Sequence, residues 1–306
     1  MPRSTGPFRR LRESVRSRSS RERPARILCV GGVNLDEAIR LESRLEPGEG
    51  VIGASLGLRP GGGAAIAAAA LAQAGYRVTV AGVVGDDAHG PMLREVLAAR
   101  GIDVSALETR PGPTTRVLVL IDPAGERTII AVGGYRATEL EGAGLLGGDY
   151  DAVLTKLHAP IVPKIVAAHW AKGALTVAVL ARHGRAPLAA RVLIASEHDL
   201  EGRERDDPLT LGRTICGAAL EWVVVTRGAN GAEAFGADGS FHRVAAPAAK
   251  VVDTTGAGDV FAAGLIDGLL RTGDIEQALA RGAEWAAKQV ATEGSLPPDN
   301  LALPAP

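Results

Sequence analysis

Residues 251–270, VVDTTGAGDVFAAGLIDGLL, combine a glycine-rich turn with a carboxylate at the start of a helix. The apolar residues before Asp253 predict the end of a strand, and Gly256-Ala257-Gly258 leads directly into an amphipathic segment. Glycines leave the backbone open to close approach by a ligand, and the first N–H groups of a helix have no partner within it. Together with the helix dipole, these groups would bind a phosphate group while it is being transferred.

Asp259 would point its carboxylate into the same space. A carboxylate beside an anion-binding turn is a poor phosphate ligand but a suitable base for a hydroxyl nucleophile. The alternative is purely structural, with Asp259 as a helix cap after a glycine turn. The spacing of the residues does not decide between these two interpretations.

Alternating strands and helices surround this turn in the sequence. ILCVGG from residue 27 predicts a buried strand that ends in a glycine turn, and RVTVAGVVG, DAVLTKL, ALTVAVL, ARVLIAS and EWVVVTRG predict further strands. Helices are predicted over 63–74, 90–100, 160–172, 258–271 and 274–292. This alternation favours an α/β fold with a mostly parallel sheet and helices on both faces. Ligands gather at the carboxyl ends of such strands, so the loops there should carry the chemistry.

Two regions interrupt the alternation. Half-exposed strands are predicted around 36–41 and 51–58, on either side of the turn EPGEG, and TRVLVLIDPAGERTIIAV predicts a hairpin. We expect these pieces, near 36–60 and 113–133, to form a small β lid. Residues 26–306 would then be one domain with a lid.

Residues 1–25 are rich in Arg and Ser and hold few apolar side chains, so we expect a disordered basic tail. An RNA-contacting arm or an interaction tag is the alternative. The rest of the chain is acidic to neutral, which fits a small enzyme better than a nucleic-acid binder. No apolar stretch approaches the roughly 20 residues that span a membrane, so no membrane partner is expected.

The cysteines and histidines predict neither a disulfide nor a zinc site. Cys29 and Cys216 are far apart, and Cys29 lies in a strand-like apolar run, which predicts two buried thiols and a cytoplasmic location. The six histidines are scattered without metal-ligand spacing.

Four segments resemble the ribokinase-like, or phosphofructokinase-B, family of kinases. DTTGAGD with its Ala- and Gly-rich helix resembles the family's C-terminal signature, and RPGGGAAIAAAALAQAGYRVTVAGVVGDDAHG resembles its N-terminal signature. GGVNLDEAI resembles the opening strand, and VVVTRGANGA resembles the strand and turn beneath the nucleotide. The resemblance extends over residues 26–296. It implies a ribokinase-like fold and an ATP-dependent small-molecule kinase.

The resemblance also implies roles for single residues. Asp259 would be the catalytic base, with the N–H groups of Gly256, Ala257 and Gly258 as the anion hole. The acceptor would be bound by Asn34, Asp36, Gly61, Gly62, Gly63 and Asp253. ATP and Mg²⁺ would be contacted by Ser196, Asp199, Thr226, Gly228 and Gly231. A monovalent cation such as K⁺ would lie near Asp253, Thr255 and Gly294.

Two positions depart from the family's pattern. Ile66 stands where the N-terminal signature has an acceptor-binding Asn, which predicts a drier acceptor pocket. Ser196 and Asp199 stand in place of an Asn and a Glu. The expected reaction is phosphoryl transfer from Mg-ATP to a hydroxyl of a sugar, sugar acid or nucleoside. A nucleoside or pseudouridine-type kinase and a catalytically silent nucleotide- or sugar-binding sensor remain alternatives, and a homodimer through the lid is expected.

Overall fold

The computed structural model describes residues 23–125, 127–134, 139–156, 159–180 and 186–302. Nearly all of the predicted basic tail lies outside these ranges, as do His158 and His183. Within the described ranges, no helix is long and apolar enough to cross a membrane.

The strands and helices follow each other largely as the sequence predicts. The strands are β1 (Arg26–Val30), β2 (Asn34–Leu41), β3 (Gly53–Gly61), β4 (Arg77–Gly85), β5 (Leu107–Arg110), β6 (Arg116–Ile121), β7 (Arg127–Val132), β8 (Ala152–Thr155), β9 (Leu175–Val179), β10 (Val192–Ser196), β11 (Trp222–Thr226), β12 (Ala232–Gly236) and β13 (Phe241–Val244). The α-helices are α1 (Gly63–Gln73), α2 (His89–Ala98), α3 (Val162–Ala171), α4 (Pro208–Cys216), α5 (Ala257–Thr272) and α6 (Ile275–Val290).

The larger sheet has nine strands in the order β13-β12-β11-β10-β9-β8-β1-β4-β5. The pairs from β11 to β5 are parallel, and β12 and β13 extend the sheet as an antiparallel edge. Central strands such as β1 and β4 are buried almost throughout, as expected for strands that are covered on both faces. The mostly parallel sheet is therefore confirmed.

Helices cover both faces of this sheet. Ile27 and Cys29 of β1 pack into the apolar cluster that includes α1, α5 and α6. Leu28 and Val30 pack into the opposite cluster, with α3 and α4. Successive side chains of a strand point to opposite faces, so the unbroken apolar run in β1 supplies both layers. The Ala-rich sequence of α1 buries this helix closely against the sheet and α5.

The second sheet has the order β3-β2-β6-β7 and is formed by the segments predicted to be the lid. β6 and β7 form the predicted antiparallel hairpin, and β2 pairs antiparallel with β3. The central pair, β2 and β6, is parallel, a pairing that the sequence did not predict. The two strands belong to separate segments of the chain, and their relative direction is not constrained by a tight turn.

Several elements were not predicted. α4 begins after Asp207, whose side chain accepts a hydrogen bond from the Thr210 N–H, with Pro208 in its first turn. This start signal was present in the sequence, but the apolar pattern behind it is short. The strands β5, β12 and β13 are short, only partly buried and contain no long apolar run that would have predicted them.

Candidate active site

The loops at the carboxyl edge of the larger sheet lie side by side. Val30 pairs with Thr155, so Gly31 and Lys156 follow neighbouring parallel strands at the same level. Ser196 pairs with Thr226 at the ends of β10 and β11. This is the edge at which ligands gather in α/β sheets. The site residues expected from the sequence lie at this edge or next to it.

The glycine turn before α5 has the geometry of an anion-binding turn. Gly256 is the residue that precedes the helix, and its φ of 76° lies in the left-handed region that favours glycine. Gly258 is exposed, and no heavy atom lies within 4 Å of the place where its Cβ would be. The turn therefore presents helix N-terminal backbone to open space, as binding of a phosphate requires.

Asp259 lies in the first turn of α5 with only 8% of its surface exposed. Its Oδ1 accepts a hydrogen bond of 2.7 Å from Lys156 Nζ. The Asp259 charge raises the pKa of Lys156 above its usual value against the opposing effect of burial, and Asp199 raises it further. Lys156 therefore carries a positive charge that interacts with the carboxylates of Asp259 and Asp199.

The sequence analysis did not single out Lys156. A signal was present, because this lysine follows directly on the buried strand β8 at the carboxyl edge of the sheet. Only the strand order places it opposite Asp259, which is 103 residues further along the chain.

Asn34 and Asp36 form the polar edge on the lid side of the site. Both are buried side chains of β2, and Asn34 Nδ2 donates a hydrogen bond to Asp36 Oδ1. Burial raises the pKa of Asp36 to about 6, and the negative charges of Asp259 and Asp253 add to the effect, while Arg59 and Asn34 oppose it. The Asp36 carboxyl is therefore partly protonated near neutral pH.

Three consecutive glycines lie between these groups. A Cβ on Gly61 would overlap the Asp36 carboxylate, and a Cβ on Gly63 would lie 2.7 Å from Asp259 Oδ1. Gly62 has a φ of 96°, and its Cβ would overlap the carbonyl oxygen of Gly32. These contacts give each glycine a packing reason in addition to the backbone contact with the acceptor that the resemblance implies.

A cavity of about 570 Å³ opens between the two sheets. Its polar lining includes Asn34 and Thr115, and its apolar lining comes from both sheets. The lining residues are Gly31, Gly32, Val33, Asn34, Val83, Thr115, Val117, Ala131, Gly133 and Gly134. The cavity lining therefore combines the polar side chains of Asn34 and Thr115 with aliphatic side chains from both sheets.

Ile66, at the position where the resemblance has an acceptor-binding Asn, belongs to α1. Its side chain is buried in the core and lies beneath the glycine turn, with Cγ2 3.1 Å from the position of a Cβ on Gly256. Among the described residues, Ile66 is not part of the cavity lining. The aliphatic part of that lining includes Val33, Val83 and Val117.

The residues expected at the nucleotide are partly brought together. Ser196 and Thr226 end adjacent strands, and Ser196 Oγ accepts a hydrogen bond of 3.3 Å from the His198 N–H in the short turn that contains Asp199. Gly228 has nothing within 4 Å of a Cβ and borders open space. Gly231 is closely packed, since its Cβ would overlap the Val244 carbonyl oxygen, which indicates a structural role in the turn before β12.

Asp253, Thr255 and Gly294 lie together behind the glycine turn. Asp253 accepts hydrogen bonds from the backbone N–H groups of Thr255, at 2.8 Å, and Gly294, at 3.2 Å. Arg59 of β3 forms an ion pair of 3.2 Å with Asp253. The sequence analysis did not identify Arg59, because nothing in its local sequence indicates a partner 194 residues away.

Comparisons with known proteins show the family to which the chain belongs. The model of the pfkB family of carbohydrate kinases matches residues 24–143 and 157–300. An ATP-dependent ribose-1-phosphate kinase of Halopiger xanaduensis is 30% identical over 285 residues, which cover 88% of this chain and 93% of that protein. A fructoselysine 6-kinase of Escherichia coli is 30% identical over 219 residues, 69% of this chain and 82% of that protein.

A solved structure shows the same fold. The Arabidopsis thaliana ribokinase complexed with ribose and ATP superposes with a TM-score of 0.75, at 23% identity, over 92% of this chain and 98% of that one. The ribokinase-like fold expected from the sequence is thereby confirmed. The chain belongs to the pfkB family of carbohydrate kinases and is an ATP-dependent small-molecule kinase for a sugar-like acceptor.

Proposed function

We propose that Asp259 is the base that deprotonates the acceptor hydroxyl, while the turn Gly256-Ala257-Gly258 binds the phosphoryl group in transfer. The observation that carries this proposal is the position of the buried Asp259 carboxylate. It lies at the phosphate turn, and Gly61, Gly62 and Gly63 lie between it and the Asn34–Asp36 pair. A base in this place can reach a hydroxyl that is held on the acceptor side.

In the proposed step, the acceptor hydroxyl attacks the γ-phosphorus of ATP. The hydroxyl gives its proton to Asp259, its oxygen forms a bond to the γ-phosphorus, and the bond from that phosphorus to the β,γ-bridging oxygen breaks to release ADP. Lys156 binds Asp259 Oδ1, which leaves Oδ2 for the hydroxyl. The Lys156 ammonium also lies where it can stabilise negative charge on the transferring group.

The nucleotide would lie across the ends of β10 and β11, against Ser196, Thr226 and the open backbone at Gly228. Mg²⁺ commonly binds one or two carboxylates together with the phosphates of its nucleotide. Asp199 provides one such carboxylate, and its closeness to Lys156 supports this place for it. When bound, the ion would neutralise charge on the phosphates.

The acceptor would lie in the cavity between the sheets. Asn34, which lines the cavity, and its hydrogen-bond partner Asp36 suit a ligand with several hydroxyls, since an amide and a carboxyl group can orient more than one. The aliphatic wall of Val33, Val83 and Val117 suits a less polar portion of the same ligand. The two curated relatives described above are named for substituted sugars, which supports a substituted sugar over a free one.

A nucleoside is the second candidate acceptor, because it combines a ribose diol with an apolar base. The aliphatic wall of the cavity is the observation that favours it. The same wall leaves a hydroxyl of free ribose without a partner, which costs binding energy.

An ATP-consumption assay over a panel of acceptors tests the proposal. The panel contains ribose, ribose 1-phosphate, fructose, fructoselysine, 2-keto-3-deoxygluconate, adenosine, cytidine and pseudouridine. We expect kcat/KM for ribose to be lower than that for the best acceptor by about tenfold or more. Ribose as the best acceptor would contradict our interpretation of the cavity wall.

The second sheet would act as a lid that excludes water during transfer. The outer strand β7 exposes Ile129, Ile130 and Val132, which supports the expected homodimer through this sheet. Sedimentation of the protein and of an Ile129→Ser variant would test the dimer, which the substitution should weaken.

A further inference from the structure

Three backbone carbonyl oxygens behind the phosphate turn converge on one amide. Gln289 Nε2 donates hydrogen bonds to the carbonyl oxygens of Thr255 at 3.0 Å and of Gly294 at 2.9 Å, and lies 3.4 Å from that of Ser295. Gln289 lies near the end of α6 and is completely buried. The opposite amide orientation would place an oxygen against three carbonyl oxygens, so the NH₂ group must face them.

The carboxylate of Asp253, next to these carbonyls, likewise accepts hydrogen bonds from the groups around it. Its Oδ1 accepts from the Thr255 N–H, and its Oδ2 accepts from the Gly294 N–H and from Arg59 Nη2. Burial alone would raise the pKa of Asp253, but these hydrogen bonds and the Arg59 charge lower it below its usual value. The carboxylate is therefore ionised, and the guanidinium balances its charge.

A monovalent cation would need the same oxygens. Protein sites for K⁺ replace the water shell of the ion with several carbonyl oxygens. The resemblance noted above implies such an ion near Asp253, Thr255 and Gly294. The residues present do not fit it, because the converging carbonyls face an N–H donor and the carboxylate faces a guanidinium.

We propose that this kinase needs no monovalent cation, because Gln289 and Arg59 bind the oxygens that would otherwise hold the ion. The two side chains come from α6 and from lid strand β3. Each of them contacts the loop that leads into the phosphate turn. A third contact, from Arg127 of β7 to Thr255 Oγ1 at 3.1 Å, connects the lid to the same loop. Side chains of the protein thus order this loop, and they do so whatever salt is present.

The first test uses the unaltered protein. Its melting temperature, without nucleotide or acceptor, is measured in potassium, sodium and choline chloride at equal ionic strength. We expect the same melting temperature in all three salts, because a ligand stabilises a fold only if the folded state binds it. A higher melting temperature in potassium than in both other salts would overturn the proposal. This measurement does not depend on the acceptor, on catalysis by Asp259 or on any activity.

The second test removes the amide. Gln289→Ala leaves the carbonyl oxygens of Thr255, Gly294 and Ser295 around an empty space beside Asp253. We expect this variant to melt at a lower temperature than the wild type and to regain stability in potassium but not in choline. Gln277→Ala, at an exposed position of the same helix, is the matched control and should behave as the wild type in every salt.

A Gln289→Ala variant that is indifferent to potassium would overturn the proposal, since Gln289 would then not be the group that takes the place of the ion. If this variant does not fold, Gln289→Met keeps the length of the side chain without its donors. The same comparison of salts then applies to it, with the same two outcomes.

Discussion

Lys156 Nζ lies 2.7 Å from Asp259 Oδ1, and both side chains contact the place where a Cβ on Gly63 would lie. This contact joins three separate parts of the chain: the loop after β8, the first turn of α5 and the start of α1. It holds the proposed base in one position between the phosphate turn and the acceptor side. Charge-assisted hydrogen bonds of this kind are among the stronger ones in proteins.

Asp259→Asn should retain ATP binding but lower kcat by about 10²–10⁴, the usual contribution of a positioned base. The amide keeps the shape of the side chain but cannot take the proton. Turnover and nucleotide affinity are measured separately, with Asp238→Asn in an exposed turn as the control. Near-normal turnover of Asp259→Asn would remove this residue from the mechanism.

Lys156→Met should lower kcat by about 10²-fold, the effect of removing one group that stabilises charge in the transition state. Methionine keeps the length of the side chain but leaves Asp259 without its ion-pair partner. Lys164→Met, at an exposed position of α3, serves as the control. If Lys156→Met changed KM for the acceptor and not kcat, Lys156 would bind substrate rather than act on the transfer.

Gly62→Ala should destabilise the fold far more than Gly57→Ala, although both glycines have positive φ, of 96° and 93°. A left-handed conformation costs a non-glycine residue about 1–2 kcal/mol at either position. Only at Gly62 would the new Cβ also overlap another atom, the Gly32 carbonyl oxygen, since nothing lies within 4 Å at Gly57. Urea unfolding of the two variants measures the difference. Equal losses would show that the contact with Gly32 is easily relieved.

The pH dependence of stability should carry a contribution from Asp36. Burial raises its pKa from the usual value of 3.8 to about 6 in the folded protein, so the folded state binds the proton more tightly than the unfolded chain does. The resulting stabilisation is complete below pH 4 and is lost as the pH rises through 6. Two pKa units correspond to about 3 kcal/mol at most.

Asp36→Asn cannot ionise, and its free energy of unfolding should therefore rise relative to the wild type between pH 4 and pH 7. Urea unfolding at each pH measures the difference, with Asp299→Asn at an exposed position as the control. If the difference between Asp36→Asn and the wild type stayed constant over this range, the pKa of the Asp36 carboxyl would not be raised in the folded protein.

The strand order could be expected only in outline from the sequence. Apolar runs such as ILCV and VVVT indicate that a strand is buried on both faces, and they predicted the parallel sheet. They do not report which strand lies beside which. The parallel pairing of β2 with β6 was therefore missed, and the weakly apolar edge strands β12 and β13 were not detected.

The sequence by itself determined the glycine turn before α5 and the candidate carboxylates, because these features depend on residues that are consecutive in the chain. The left-handed conformation before α5 favours a glycine at position 256, and Asp259 follows within the first turn of the helix, wherever the rest of the protein lies. Only the tertiary structure decided which side chains meet there. Lys156, Arg59 and Gln289 approach the turn from distant segments, and their positions result from the packing of strands, lid and helices. A local sequence pattern indicates the burial and the backbone conformation of a residue. The partners of a buried charge, in contrast, depend on the fold as a whole.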